Sequence, residues 1–175
     1  MDEKNIINRC LNGDKEAFGM LVNKYQSQLL HFTWNILRDQ DEAKDVTQET
    51  FVRSYFRLKT FDLSKSFKAW LYTIAFNRCM DKIRQNQSRF RFIKRVKNEP
   101  KFSANLHDPE KKFEDSEHLW KLLAKLNEKE RTALSLKLND GYLAREIGEI
   151  LGCKESTVRV TIMNARRKLK KILEN

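Results

Sequence analysis

Ala144-Arg-Glu-Ile-Gly-Glu-Ile-Leu-Gly-Cys-Lys-Glu-Ser-Thr-Val-Arg-Val-Thr-Ile-Met-Asn-Ala-Arg-Arg-Lys-Leu-Lys-Lys-Ile-Leu173 divides at Gly152-Cys-Lys154 into two runs of helical periodicity. A short helix over 144–151, a glycine-containing turn and a longer helix over 155–173 make the helix-turn-helix pattern. On the second run Val158, Ile162, Ala165, Leu169 and Ile172 fall on one side, and Ser156, Thr157, Val160, Met163, Asn164, Arg167 and Lys171 on the other. Val160 and Met163 have little reason to face water, yet they suit the thymine methyl groups of a DNA major groove. The lysines and arginines that end the run favour phosphate and, independently of DNA, the negative end of the helix dipole. Turn, amphipathicity and basicity together read as a recognition helix.

Outward from this stretch the chain stays helical. Only five glycines and two prolines occur in 175 residues, and apolar residues recur at helical spacing, so the fold class is all-α. Both prolines, Pro100 and Pro109, fall in one polar stretch, residues 85–115, which reads as a flexible linker between two small helical domains, 1–84 and 116–175. In the first domain, Gly13-Asp14 is a stop and an N-cap ahead of the stripe Phe18, Leu21, Val22, Tyr25, Leu29, Phe32 and Ile36. A second helix starts after Asp39 or Asp41 and turns Ala43, Val46, Phe51, Tyr55 and Leu58 inward. The periodicity breaks between Thr60 and Ser66, and a third helix follows over 66–84, with Thr73, Asn77, Asp81 and Arg84 on a polar strip headed by Trp70. In the second domain, Leu119, Leu122, Leu123 and Leu126 mark one amphipathic helix, and Asn127-Glu-Lys-Glu130 is a capping box that opens another.

A formal net charge of +11, with 34% of residues charged, favours a polyanionic partner, and nucleic acid is the commonest. Between residues 51 and 84 the rings of Phe51, Tyr55, Phe56, Phe61, Phe67, Trp70, Tyr72 and Phe76 interleave with Arg53, Arg57, Lys59, Lys65, Lys68, Arg78, Lys82 and Arg84. Rings stack unpaired bases while cations hold phosphates, so this stretch points to opened strands. No apolar run approaches the roughly 20 residues a bilayer span needs. Met1-Asp-Glu-Lys4 opens acidic, unlike a signal peptide, and a cytoplasmic protein with no stable membrane insertion is expected. Cys10, Cys79 and Cys153 form no C-x-x-C pair and read as buried small residues. His31, His107 and His118 lack ligand spacing, so neither metal nor other cofactor is expected. Without H-E-x-x-H, P-loop or G-x-S-x-G, an enzyme such as a recombinase or nuclease has no support.

Gly13-Asp-Lys-Glu-Ala-Phe18, Asp45-Val-Thr-Gln-Glu-Thr-Phe-Val-Arg53, Phe67-Lys-Ala-Trp-Leu-Tyr-Thr-Ile-Ala75 with Asn77-Arg78, and Glu146-Ile-Gly-Glu-Ile-Leu-Gly152 through Thr157-Val-Arg159 to Ala165-Arg166 resemble an extracytoplasmic-function sigma factor of bacterial RNA polymerase. The resemblance covers nearly the whole chain outside the linker. It implies a first domain that binds core RNA polymerase and reads and melts the minus-ten element of promoter DNA, and a second that reads the minus-thirty-five element. Asp45, Gln48, Glu49 and Phe51 fall in the polymerase-docking segment. The loop over 59–66, with Lys59, Thr60, Phe61, Ser64 and Lys65, matches the segment that captures a flipped minus-ten base, and Trp70, Asn77 and Arg78 lie on the helix that follows. Arg159 falls where the family reads minus-thirty-five DNA. An anti-sigma factor is a further partner that the resemblance implies. Departures occur at Val160-Thr161, where the family often has Ser-Arg, at Met163-Asn164, where His-Arg or Phe-Arg is usual, and at Phe76, where a polar or basic residue is frequent. The competing reading, a stand-alone helix-turn-helix regulator, leaves the acidic run Asp39, Asp41, Glu42, Asp45 and Glu49 without a purpose.

Overall fold

The computed structural model describes residues 2–97, 125–138 and 141–174, and among them no strand occurs. Among the described residues the helices are α1 (Glu3–Leu11), α2 (Lys15–Leu37), α3 (Gln40–Arg57), α4 (Phe67–Lys97), α5 (Glu128–Leu138), α6 (Ala144–Leu151) and α7 (Glu155–Leu173), with a 3-10 turn at Leu58–Thr60. They fall into two compact units, Met1–Leu106 and His107–Asn175.

In the first unit the helix starts are those that local chemistry dictates. Gly13 takes φ +96°, and Asp14 then caps α2 by accepting the Ala17 N–H at 3.1 Å. Arg9 at the end of α1 grips the same carboxylate through Nε at 3.0 Å and Nη2 at 2.7 Å. Asp39 caps α3 by accepting the Glu42 N–H at 2.8 Å. The α2 stripe of Phe18, Leu21, Tyr25, Leu29, Phe32 and Ile36 is buried, with Val22 at its margin. From α3 come Ala43, Val46 and Phe51, with Tyr55 half-buried edge-on to Phe18. Close approach of α2 and α3 relies on small polar residues. The Thr33 and Thr47 hydroxyls lie 2.9 Å apart, both within hydrogen-bond reach of the Ala43 carbonyl. Their polar atoms are thereby satisfied inside the core. Phe67, Leu71, Tyr72, Ala75, Phe76 and Cys79 close it from α4.

α4 runs on to Lys97, past the helix end expected at Arg84. Residues 85–97 contain neither glycine nor proline and are rich in Gln, Arg and Lys, which are good helix formers. Their polarity marks no break in the helix. Residues 98–115, the helix expected over Leu119, Leu122 and Leu123, and His107 and His118 lie outside the described residues.

The second unit opens with the expected capping box: the Asn127 N–H donates to Glu130 at 3.0 Å, and the Glu130 N–H to Asn127 Oδ1 at 2.9 Å. Glu130 is buried and is held by Lys168 of α7 at 2.8 Å. Burial raises its pKa, but the Lys168 bond and the Asn127 backbone bond outweigh that and keep the carboxyl below the usual carboxylate range. Two glycines make the helix-turn-helix turn. Gly152 ends α6 at φ +65°, and Cys153 N–H returns to the Gly148 carbonyl at 2.9 Å. A Cβ at Gly148 would stand 2.6 Å from the Cys153 carbonyl oxygen. Ile147, Ile150 and Leu151 of α6 meet Val158, Ile162 and Ala165 of α7 in the core, with Leu134 and Leu136 of α5.

Of the cysteines, only Cys79 is fully buried, and burial pushes its thiol up to about 12. Cys10 and Cys153 are half-buried, because each sits at a helix end and not on a buried stripe. No described helix is long and apolar enough to cross a membrane.

Candidate polymerase and promoter interfaces

In the first unit, Asp45 and Gln48 are exposed on α3. Positions 41, 45, 48, 52 and 56 recur at helical spacing on one face. That face passes from carboxylates at Asp41 and Asp45 to two exposed apolar side chains, Val52 at 55% and Phe56 at 77% exposure. The sequence reading passed over Val52 and Phe56 because neighbouring Phe51 and Tyr55 fit the inward stripe. Of the four named docking residues, Phe51 is in the core and Glu49 is turned sideways. Glu49 receives Arg53 Nε at 3.0 Å and Arg78 Nη2 at 2.6 Å. Burial raises its pKa, but these two guanidinium bonds more than offset it and hold the carboxyl below its usual range.

The loop after α3 gathers most of the named minus-ten residues. Lys59, Thr60, Ser64 and Lys65 are exposed, the Thr60 hydroxyl donating to the Arg57 carbonyl at 2.8 Å. Asp62 accepts the Ser64 N–H at 2.9 Å, and its hydrogen bonds to Ser64 lower its pKa. Phe61, in contrast, is buried, its ring centroid 5.6 Å from Phe67 and 5.0 Å from Trp70. Trp70 is half-buried and thus the ring of this trio that reaches the surface. Asn77 lies two turns further along α4, exposed on the Trp70 side. Arg78 departs from the group: it binds Glu49 and also Asp81, at 3.2 Å.

In the second unit, Ser156, Thr157, Arg159, Val160, Met163, Arg167 and Lys171 are exposed on α7, and Asn164 is half-buried. Val160 and Met163 keep 51% and 50% of their surface open, an outward apolar pair between cations. Beside them runs a groove of about 650 Å³ whose lining includes Lys137, Leu143, Arg145, Arg159, Met163 and Arg166. Sequence alone does not group Lys137, Leu143, Arg145 and Arg166 with Arg159 and Met163, because they come from three helices and the α5–α6 connection, which only the fold assembles. Among the described residues, no cluster of histidine, cysteine and carboxylate side chains could hold a metal ion.

Comparison with known proteins follows the same division. Residues 21–89 match the sigma-70 region 2 family and residues 116–169 the sigma-70 region 4 family. The ECF RNA polymerase sigma factor SigW of Bacillus subtilis is 32% identical over 181 aligned residues, covering 98% of this chain and 97% of SigW. The RNA polymerase sigma-H factor of Pseudomonas aeruginosa is 30% identical, with 98% and 94% covered. The solved structure of CnrH in complex with the cytosolic domain of CnrY superposes with a TM-score of 0.72 at 25% identity, over 98% of this chain and 97% of that one. The sigma factor RpoE of Bartonella quintana, solved with the anti-sigma factor NepR, has the same fold, with a TM-score of 0.70 at 24% identity over 90% of this chain and 96% of that one. With near-complete coverage of both chains in these matches, and both sigma-70 regions in order, the chain belongs to the extracytoplasmic-function sigma factors of RNA polymerase.

Proposed function

We propose that this sigma factor divides its work between the two units, the first docking core polymerase and opening the minus-ten DNA, and the second reading the minus-thirty-five duplex. The α3 face, with Asp45 and Gln48 at one end and Val52 and Phe56 at the other, receives the polymerase. Lys59, Thr60, Ser64, Lys65, Trp70 and Asn77 handle the opened strand, with Phe61 supporting Trp70 from beneath. Glu49, Phe51 and Arg78 hold α3, the loop and α4 in the geometry that those contacts need. On α7, Arg159, Val160, Met163 and Asn164 face base edges, while Arg167 and Lys171 face phosphates.

The carrying observation is the opposite character of two exposed helix faces in one chain, acidic-to-apolar on α3 and cationic on α7. A regulator that only binds duplex DNA has no use for the first. Strand opening needs no catalysis by this chain, because captured bases offset the few kcal/mol of unstacking. The protein acts in the cytoplasm, and an anti-sigma factor is a further partner. CnrH, solved with the cytosolic domain of CnrY, supports such a protein complex for this fold. Run-off transcription with purified core polymerase on a promoter library tests the assignment: discrete transcripts should require both proteins. Tight binding of the chain alone to a promoter duplex, with no transcript on adding core, would overturn it in favour of a stand-alone regulator.

A further inference from the structure

Arg159 does not stand free at the head of the recognition helix. Its Nε lies 3.1 Å and its Nη2 2.5 Å from one oxygen, Oε1 of Glu155, one turn earlier on α7. Both side chains are open to solvent, at 71% and 43% exposure, and both line the groove beside Met163. A carboxylate there is electrostatically costly for DNA binding, since it faces the same phosphates that Lys137, Arg145 and Arg166 would attract. Glu155 also favours the helix dipole from the first turn of α7. As an i,i+4 pair with the acid first, Glu155 and Arg159 also add modestly to helix stability.

The geometry of the pair is specific. Glu155 occupies the side edge of the guanidinium, Nε with one hydrogen of Nη2, and does not engage the end edge, Nη1 with the other hydrogen of Nη2. That end edge carries two parallel N–H donors, the arrangement needed to bond guanine O6 and N7 together. A guanidinium held along its side has fewer rotamers to lose when it docks on a base, and less freedom to swing to a phosphate instead.

We propose that Glu155 is a positioning residue for promoter specificity: it locks Arg159 end-on toward a guanine of the upstream element and withholds it from the phosphate backbone. The proposal rests on the reading of α7 as the minus-thirty-five helix, and predicts a signature separable from that reading. Removing Glu155 increases non-specific affinity while reducing discrimination at the one base pair that Arg159 contacts.

The test uses holoenzyme reconstituted from core polymerase and the full chain, with promoters randomised in the upstream element and bound fractions sequenced. Arg159→Ala should flatten the preference for guanine at one position, by about 5- to 100-fold. Glu155→Ala should flatten the same position by about 3- to 10-fold, with tighter binding to scrambled duplex. Glu155→Gln keeps a carbonyl acceptor without the charge, and should retain more of the preference than Glu155→Ala. If Arg159→Ala changes no position, the assignment of the α7 face fails. If Arg159→Ala flattens one position and Glu155→Ala leaves it intact, with only a lower melting temperature, Glu155 serves helix stability and the positioning role is overturned.

Discussion

Arg78 Nη2 lies 2.6 Å from Glu49 Oε2 and joins α4 to α3 across a separation of 29 residues. Two residues that the family resemblance assigns to different partners, DNA for one and polymerase for the other, are thus bound to each other. The position of α4 is thereby tied to that of α3. Because its folded pKa is lowered, Glu49 contributes stability above its usual value of 4.5 and loses it as pH falls through the folded value. Urea midpoints of the full chain should fall below about pH 4.5, and Glu49→Gln should show a shallower slope there. At neutral pH, Arg78→Ala should cost about 1.5–3 kcal/mol, the usual range for a hydrogen bond to a charged group.

Phe56 gives a cleaner probe of docking than Asp45, since a ring that is 77% exposed contributes little to the core. Phe56→Ser should leave the unfolding free energy within about 0.5 kcal/mol. Affinity for core polymerase, measured by titration of labelled chain, should fall by about tenfold or more if the ring is an anchor. Unchanged affinity would remove the apolar end of the α3 face from the interface.

For strand capture the informative exchange spares Phe61 and Ser66. Phe61 is a core ring, and Ser66 Oγ accepts the Ala69 N–H at 3.3 Å in the first turn of α4. Replacing residues 62–65 by glycine and serine should preserve core binding and the folded helix content. Permanganate reactivity of thymines near the start site should be lost. Full reactivity in that variant would make the loop a mere connector.

On α7, Arg167→Ala should weaken binding to all duplex sequences alike and reduce the slope of log affinity against log salt by about one unit. A position-specific loss instead would place Arg167 against a base.

What the sequence disclosed and what it withheld follow from the range of each signal. Caps at Asp14, Asp39 and Asn127 with Glu130 are legible because donor and acceptor lie three residues apart. The two helices of the helix-turn-helix were placed end to end for the same reason. Burial of Phe61 was not legible, since an aromatic in a loop has the same composition whether it stacks on Trp70 from within or from without. Nor was the ion pair of Glu49 with Arg78, which depends on how α3 and α4 cross. The extension of α4 to Lys97 is hard to read because a basic polar run resembles a linker until the absence of glycine and proline is weighed.

Gly148 imposes a constraint of another kind. Every other amino acid carries a Cβ, and the space where that atom would go lies 2.6 Å from a backbone oxygen that is itself fixed by the turn. In a saturating mutational scan scored by promoter activity, position 148 should therefore behave as an isolated forbidden site within α6. Alanine would fail there almost as badly as tryptophan, whereas exposed Glu149 beside it would accept nearly anything. Swapping recognition helices between sigma factors to redirect promoter choice must accordingly carry this glycine with the turn it permits, or the transplanted helix will be presented at the wrong angle.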